Sequence, residues 1–294
     1  MSHQDHKVQT EHRDEMLDRT QTAGGISISP ELFEQLYLAP KSRVEGQLRH
    51  TFGNPTPIAL GGFLLCSTPL SMVLLEWQSA GGFGARANVG SYFFLGGLLV
   101  LLGGIGEWIL GNTFPATVFC LFGGFWLTFG ATIVPGNGAY GIYSTSGITA
   151  EGLDEPQFYA TFSFFLVAMA LLCTVFTVAS LRTNIVLFVL LLLLVPTCKT
   201  LLPYLFDGNY STTNFDGETV GALSASFFAV AHGLPARAKT LQHVGAGLLL
   251  AASFLGWYIF LALVLLGVEF PFMLPLGDLS TLIPPRKQTA GREN

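Results

Sequence analysis

Charge is what this 294-residue chain has least of: Asp, Glu, Lys and Arg together make up 11% of it, where soluble domains carry about 25%. Half of the residues are apolar and the mean hydropathy is +0.53, so the shortage of charge excludes an ordinary water-soluble globule. Cysteine is sparse as well. Cys66, Cys120, Cys173 and Cys198 all fall in apolar stretches without a CxxC pair or a metal-ligand spacing, so they read as small buried hydrophobes and no metal site is expected. The first residues have no basic segment leading into an apolar core, so no secretory signal is read there, and the first membrane helix takes the targeting role. No Ser-His-Asp set, metal cluster or phosphate loop is found, so neither enzymatic chemistry nor a cofactor is expected; His232 and His243 read as loop and interface residues.

The charge that is present lies mostly outside the apolar runs. Residues 1–50 hold six of the 14 Lys/Arg and eight of the 19 Asp/Glu, and they form an N-terminal tail. Its first 25 residues have too little apolar surface to offset the entropy of ordering, which predicts disorder. Ser29-Pro30 then opens a short helix near 30–39, with Leu32, Phe33, Leu36 and Tyr37 on one face, suited to lying on a membrane surface.

A helix needs about 20 mostly apolar residues to cross the hydrocarbon core. Runs of that kind predict six spans near 57–78, 90–110, 115–135, 158–180, 184–205 and 243–267. The predicted fold is therefore an all-α integral membrane bundle of six transmembrane helices over 51–280, with an outer loop insertion at 207–242 and a C-terminal tail at 281–294. Within the insertion, the apolar stretch 221–234 is too short to span and reads as re-entrant or interfacial. With the N-terminus inside, ten of the 14 Lys/Arg fall on the cytosolic side, while the 136–157 loop has none, so both termini are expected in the cytosol. The same topology puts the glycosylation pattern at Asn209 outside.

Glycines crowd the second and third spans, at Gly96, Gly97, Gly103, Gly104, Gly106, Gly123, Gly124 and Gly130, which points to close helix packing and an oligomeric bundle. Phe63, Ser67 and Ser71 recur at i, i+4 and i+8 on one face of the first span, and Phe122, Phe125, Thr128 and Thr132 repeat that mix in the third. Such stripes suit either a narrow path or hydroxyl bonding between helices. Two ionisable residues within the spans are candidates for function: Glu107, either a snorkelling or interface-paired carboxylate or a proton-linked one, and Lys199, either snorkelling or attracting an anion. Pro196 frees a backbone carbonyl next to Lys199. Asn54-Pro55-Thr56-Pro57 begins the first span, where the helix dipole favours an anion, although a plain capping turn has the same sequence.

Several of these residues lie in recognisable motifs: NPTPIAL at 54–60, E-x3-GNTF at 107–114 followed by GGFWLTF at 123–129, and GWY at 256–258 followed by FPFMLPLGDLS at 270–280. In this order they resemble the acetate uptake transporter family, with its YaaH-type bacterial acetate–succinate permeases and its fungal acetate permeases. LFEQLYLAP and GQLRHTFGNPTP in the tail are similar to the fungal branch. The resemblance implies a plasma-membrane homohexamer of six-helix subunits, each with its own path for acetate or a similar small monocarboxylate, coupled to protons. It places the constriction on Phe63, Phe122 and Leu194, and it makes Asn54, Pro55, Pro57, Ser67, Ser71, Asn112, Thr113 and Thr128 candidates for contact with the carboxylate. Relatives discussed as acetate sensors or ammonium exporters leave those roles as alternatives. Two positions depart from the family pattern: Phe122 stands where Tyr is common, and Pro115 where glycine is usual after GNTF.

Overall fold

Where proline or glycine interrupts the apolar runs, the helices begin and end. The computed structural model describes residues 52–198 and 222–279; the tail helix near 30–39, Lys199, Asn209 and the tail beyond 280 lie outside the described residues. The first helix, α1, runs over Thr56–Leu74, with Pro57 in its first turn, where proline sacrifices no helical hydrogen bond. The second, α2, covers Gly84–Ile109. Its middle, Tyr92–Leu99, is π-helical and its last part, Val100–Ile109, is α-helical. Next come α3 (Thr113–Ile133), α4 (Pro156–Ser180), α5 (Ile185–Cys198), α6 (Ala222–Ala231) and α7 (Pro235–Gly267).

Five of these helices, α1, α2, α3, α4 and α7, are long and apolar enough to cross a membrane. The sixth expected span, 184–205, is represented by α5, whose apolar part Ile185–Pro196 is shorter than the other five. No strand forms among the described residues. One antiparallel bridge, Asn184 to Asp278, ties the LPLGDLS segment back to the start of α5. The apolar segment 221–234 folds as the ten-residue α6, which packs on α4 and α7 with Phe227 against Tyr159 and Phe162. The last helix starts at Pro235, ahead of the expected 243, and its 33 residues extend well beyond a bilayer core of about 30 Å.

Lipid is as apolar as leucine, so helices in it are joined by close contact and hydrogen bonds rather than by a hydrophobic force. Here α2 supplies the close contact. A Cβ added at Gly103 would lie 2.5 Å from Ala59 Cβ on α1, and one at Gly104 would lie 2.8 Å from the Cys120 backbone nitrogen on α3. On the far side of α3 the spacers are rings: Phe122 and Phe114 meet Phe176, Phe125 stacks on Phe165, and Phe129 meets Phe162 of α4. The α1–α7 pair is antiparallel and bonded along its length. Trp257 donates to Thr68 Oγ1 at 3.0 Å, Ser253 to Ser67 Oγ at 3.0 Å, and Gln242 to the Leu74 carbonyl at 2.9 Å. Beyond the end of α1, Lys239 reaches Glu76 at 2.8 Å, and its hydrogen bond holds the Glu76 carboxyl below the ordinary value of 4.5.

Two outcomes follow from this packing. Gly103→Val should destabilise the subunit by about 1–3 kcal/mol through overpacking, read as a lowered melting temperature in detergent. A carboxyl held low in the fold contributes stability above its unfolded value and loses it as pH falls through the folded one. Any melting difference between wild type and Glu76→Gln should therefore be largest near neutral pH and vanish well below 4.5.

Candidate functional site

The turn before α1 is held by its own side chains. Thr56 N donates to Asn54 Oδ1 at 2.9 Å, and the Pro55 carbonyl accepts from Ile58 N at 3.1 Å. Asn54, Pro55 and Pro57 are half-buried, whereas Thr56 is fully buried. Its hydroxyl donates to Glu107 Oε1 near the end of α2. Asn112, just before α3, donates to Glu107 Oε2 at 2.6 Å, and its backbone nitrogen donates to the Glu107 carbonyl at 2.8 Å. Gly111, at φ 78° between them, allows that sharp reversal because the left-handed region carries no Cβ penalty for glycine. Glu107 is 1% exposed, which rules out the snorkelling alternative and makes it a junction of three helix ends.

A pocket opens beside this junction. Its lining includes Thr56 and Leu60 of α1, Phe114, Pro115 and Val118 of α3, Asn184, Leu187 and Leu191 of α5 or its N-terminal turn, and Ile259 of α7. The walls are almost wholly apolar, yet three helices, α1, α3 and α5, begin at its edge. The partial positive charge of a helix N-terminus favours an anion there. Asn184 already caps α5, its Oδ1 accepting from Leu187 N at 2.8 Å.

Leu60 and Val118 line the pocket, and about one turn further along the same two helices stand Phe63 and Phe122, outside the lining itself. They meet edge to face, with centroids 5.8 Å apart at 64°. Both are buried, and Leu194, one turn beyond Leu191, belongs to the same buried cluster. The three residues expected at a constriction thus share one core. Two further aromatics join them that the sequence reading did not single out: Phe176 of α4, 6.1 Å from Phe122, and Trp126, 6.5 Å from Phe63. Both stand in aromatic-rich helices, where composition alone does not say which rings converge.

The hydroxyl candidates separate. Ser67 and Ser71 are fully buried beside this cluster, with Ser71 donating to the Ser67 carbonyl at 2.5 Å and Ser253 of α7 completing the group. Thr113 and Thr128 are exposed, Thr128 with its hydroxyl turned onto the Gly124 carbonyl at 2.8 Å, so the structure does not bring them to the pocket.

The sequence profile of the GPR1/FUN34/yaaH family matches residues 37–225. The chain belongs to this family. It is 36% identical to "Protein alcS" of Aspergillus fumigatus over 278 residues, 94% of each chain. It is 29% identical to "Acetate transporter protein patA" of Aspergillus clavatus over 231 residues, 78% of this chain and 80% of that one. With "Ammonia transport outward protein 2" of Saccharomyces cerevisiae it shares 35% identity over 176 residues, 57% of this chain and 56% of that one. Among solved structures it is similar to the bacterial acetate channel SatP, at a TM-score of 0.51 and 19% identity, over 77% of this chain and 99% of that one. The family match bears out the resemblance read from the motifs, the SatP likeness bears out the helical membrane fold, and the chain is an integral membrane protein. The Glu107 junction falls within the matched residues, as do the pocket-lining residues named above except Ile259.

Removing one partner from a buried carboxyl leaves it under-bonded. Asn112→Ala should therefore cost about 1–3 kcal/mol of stability, measured by thermal unfolding in detergent, whereas Thr113→Ala, at an exposed position, should cost less than a third as much.

Proposed function

We propose that this chain carries acetate, or a monocarboxylate of similar size, through its own helix bundle. The reading is carried by the Phe63–Phe122 ring contact, set about one turn beyond Leu60 and Val118 of an apolar pocket that starts among three helix N-termini. A hydrated inorganic ion loses its water shell at such a neck without replacement, and the cost of that loss excludes it. Acetate is amphiphilic. Its methyl end suits the apolar walls, its carboxylate suits the helix ends and the Thr56 region, and a proton taken up on the way in removes the charge penalty. Relatives named as acetate transporters support this choice of substrate.

Proton coupling belongs to the same proposal. Glu107 is the carboxyl placed to take part, since it lies one hydrogen bond from Thr56 on the pocket wall. The complete topology we infer has six spans, with α5 continuing as the expected 184–205 crossing. Both termini lie in the cytosol, as the distribution of Lys and Arg supports, and we place the protein in the plasma membrane. A hexamer is supported by the resemblance and by an apolar stripe on α2 formed by Phe94, Leu98, Leu102, Ile105 and Ile109, all well exposed in the single subunit. The yeast relative's name raises ammonium as an alternative cargo. Aromatic faces attract cations as well, so the choice of carboxylate rests on the relatives named as acetate transporters and on the helix N-termini at the pocket.

The test is uptake of labelled acetate into liposomes holding the purified protein, with and without an inward proton gradient. Gradient-driven uptake that propionate competes and ammonium does not is the expected result; no uptake above empty liposomes from folded protein would refute the proposal. Phe63→Ala should widen the neck and raise uptake of lactate relative to acetate several-fold. Unchanged uptake of acetate, propionate and lactate would remove Phe63 from the constriction.

A further inference from the structure

Trp126 stands one turn beyond Phe122 on α3 and is 2% exposed. Its indole stacks on Tyr92 at 5.2 Å and meets Phe125 at 5.3 Å, Phe63 at 6.5 Å and Phe129 at 6.3 Å. The π-helical part of α2 leaves room for it, because a Cβ at Gly96 would lie 2.6 Å from the indole Cγ. Amid these contacts, Nε1 is fully buried and has no hydrogen-bond partner. An indole nitrogen can only donate, and a buried tryptophan N–H ordinarily finds an acceptor. A donor kept dry and unpaired costs stability, so its presence calls for a reason.

Each nearby hydroxyl oxygen already has a partner. Ser71 donates to the Ser67 carbonyl, Ser253 to Ser67 Oγ and the Leu249 carbonyl, Thr177 to the Cys173 carbonyl and Tyr92 to the Gly84 carbonyl. Phe122 has no hydroxyl to offer. The other buried side-chain nitrogens without a hydrogen bond among the described residues lie away from the rings: Arg182 Nε follows the end of α4, and His243 Nε2 stands 3.9 Å from Glu76 Oε1. Apart from the Ser67 hydroxyl, whose oxygen already accepts from Ser253, the donor beside the Phe63–Phe122 contact is the Trp126 N–H, and its nitrogen has no hydrogen-bond partner at all.

We propose that Trp126 Nε1–H is the carboxylate-binding donor of the neck. It holds the head group of a passing monocarboxylate while the alkyl end lies against Phe63 and Phe122, and so it sets the affinity for short acids. The inference rests on the transport reading above. Phe63 lies against both Phe122 and the indole, so a swing of this ring that opens the neck also changes what covers the donor. A single neutral donor binds firmly enough to orient the anion and weakly enough to release it, as conduction requires.

Two measurements test it. In liposomes, Trp126→Phe should raise the KM for acetate about tenfold, the factor expected for one hydrogen bond to a charged acceptor, with saturated uptake kept within about threefold. In solution NMR of the 15N-indole-labelled wild type, the Trp126 resonance is assigned by elimination with Trp77→Phe, Trp108→Phe and Trp257→Phe. It should shift on titration with sodium acetate and stay fixed with sodium chloride. An unchanged KM in a folded, transporting Trp126→Phe protein overturns the proposal, as does an indole signal that acetate leaves in place. Should Trp126→Phe fail to fold, the wild-type titration decides alone. Should the wild type transport no acetate, the transport reading falls, and the same titration still decides whether this donor binds a carboxylate.

Discussion

The bundle depends on the unequal spacing of helices around α3. On one side α2 comes close enough that a Cβ at Gly104 would strike the Cys120 backbone, and one at Gly123 would lie 2.9 Å from Leu101 N. On the other side, ring pairs such as Phe122–Phe176 and Phe125–Phe165 hold α4 away. Because α3 is pinned against α2 and spaced from α4, its inward face is fixed, and Phe122 and Trp126 point at Phe63 of α1. Glycine and phenylalanine thus do opposite jobs on two faces of one helix.

The same constraint explains why a buried carboxyl is tolerated. Glu107 sits where α1, α2 and α3 meet by their ends, and helix ends leave backbone and capping groups that an acid can use. Thr56 and Asn112 supply two bonds to it from either side. Thr56 is the junction residue that lines the pocket, so a single arrangement both stabilises three helix termini and positions a polar group at the apolar cavity. The chain has kept the acid where an apolar residue would pack with less desolvation cost, as expected for an ionisable group with work to do in a membrane.

Parts of this were legible in the residues alone. The NPTP entry to α1 and the Phe63–Ser67–Ser71 stripe are local, and local chemistry survives in any fold that contains the helix. The faces of α3 were not legible in the same way. Trp126 and Thr128 lie in one short motif, yet one is buried and the other exposed. The helices are apolar nearly all round, so periodicity does not separate a core-facing side from a lipid-facing one. The 221–234 stretch illustrates the same limit. Its length excluded a crossing, but its place against α4 and α7 came from rings 60 or more residues away, Tyr159 and Phe162.

By itself, then, the sequence determined residence in the membrane, the positions of most helices and membership of the family, because hydropathy, proline and glycine punctuation and short motifs all act over one or two turns. Only the tertiary structure decided that Glu107 is buried rather than snorkelling, since its partner Thr56 lies 51 residues away. It also decided that Thr128 faces outward and that the Trp126 nitrogen stays unpaired. Each of these depends on which neighbour occupies a given helix face, and in a chain whose helices are greasy on every side that is settled by packing alone.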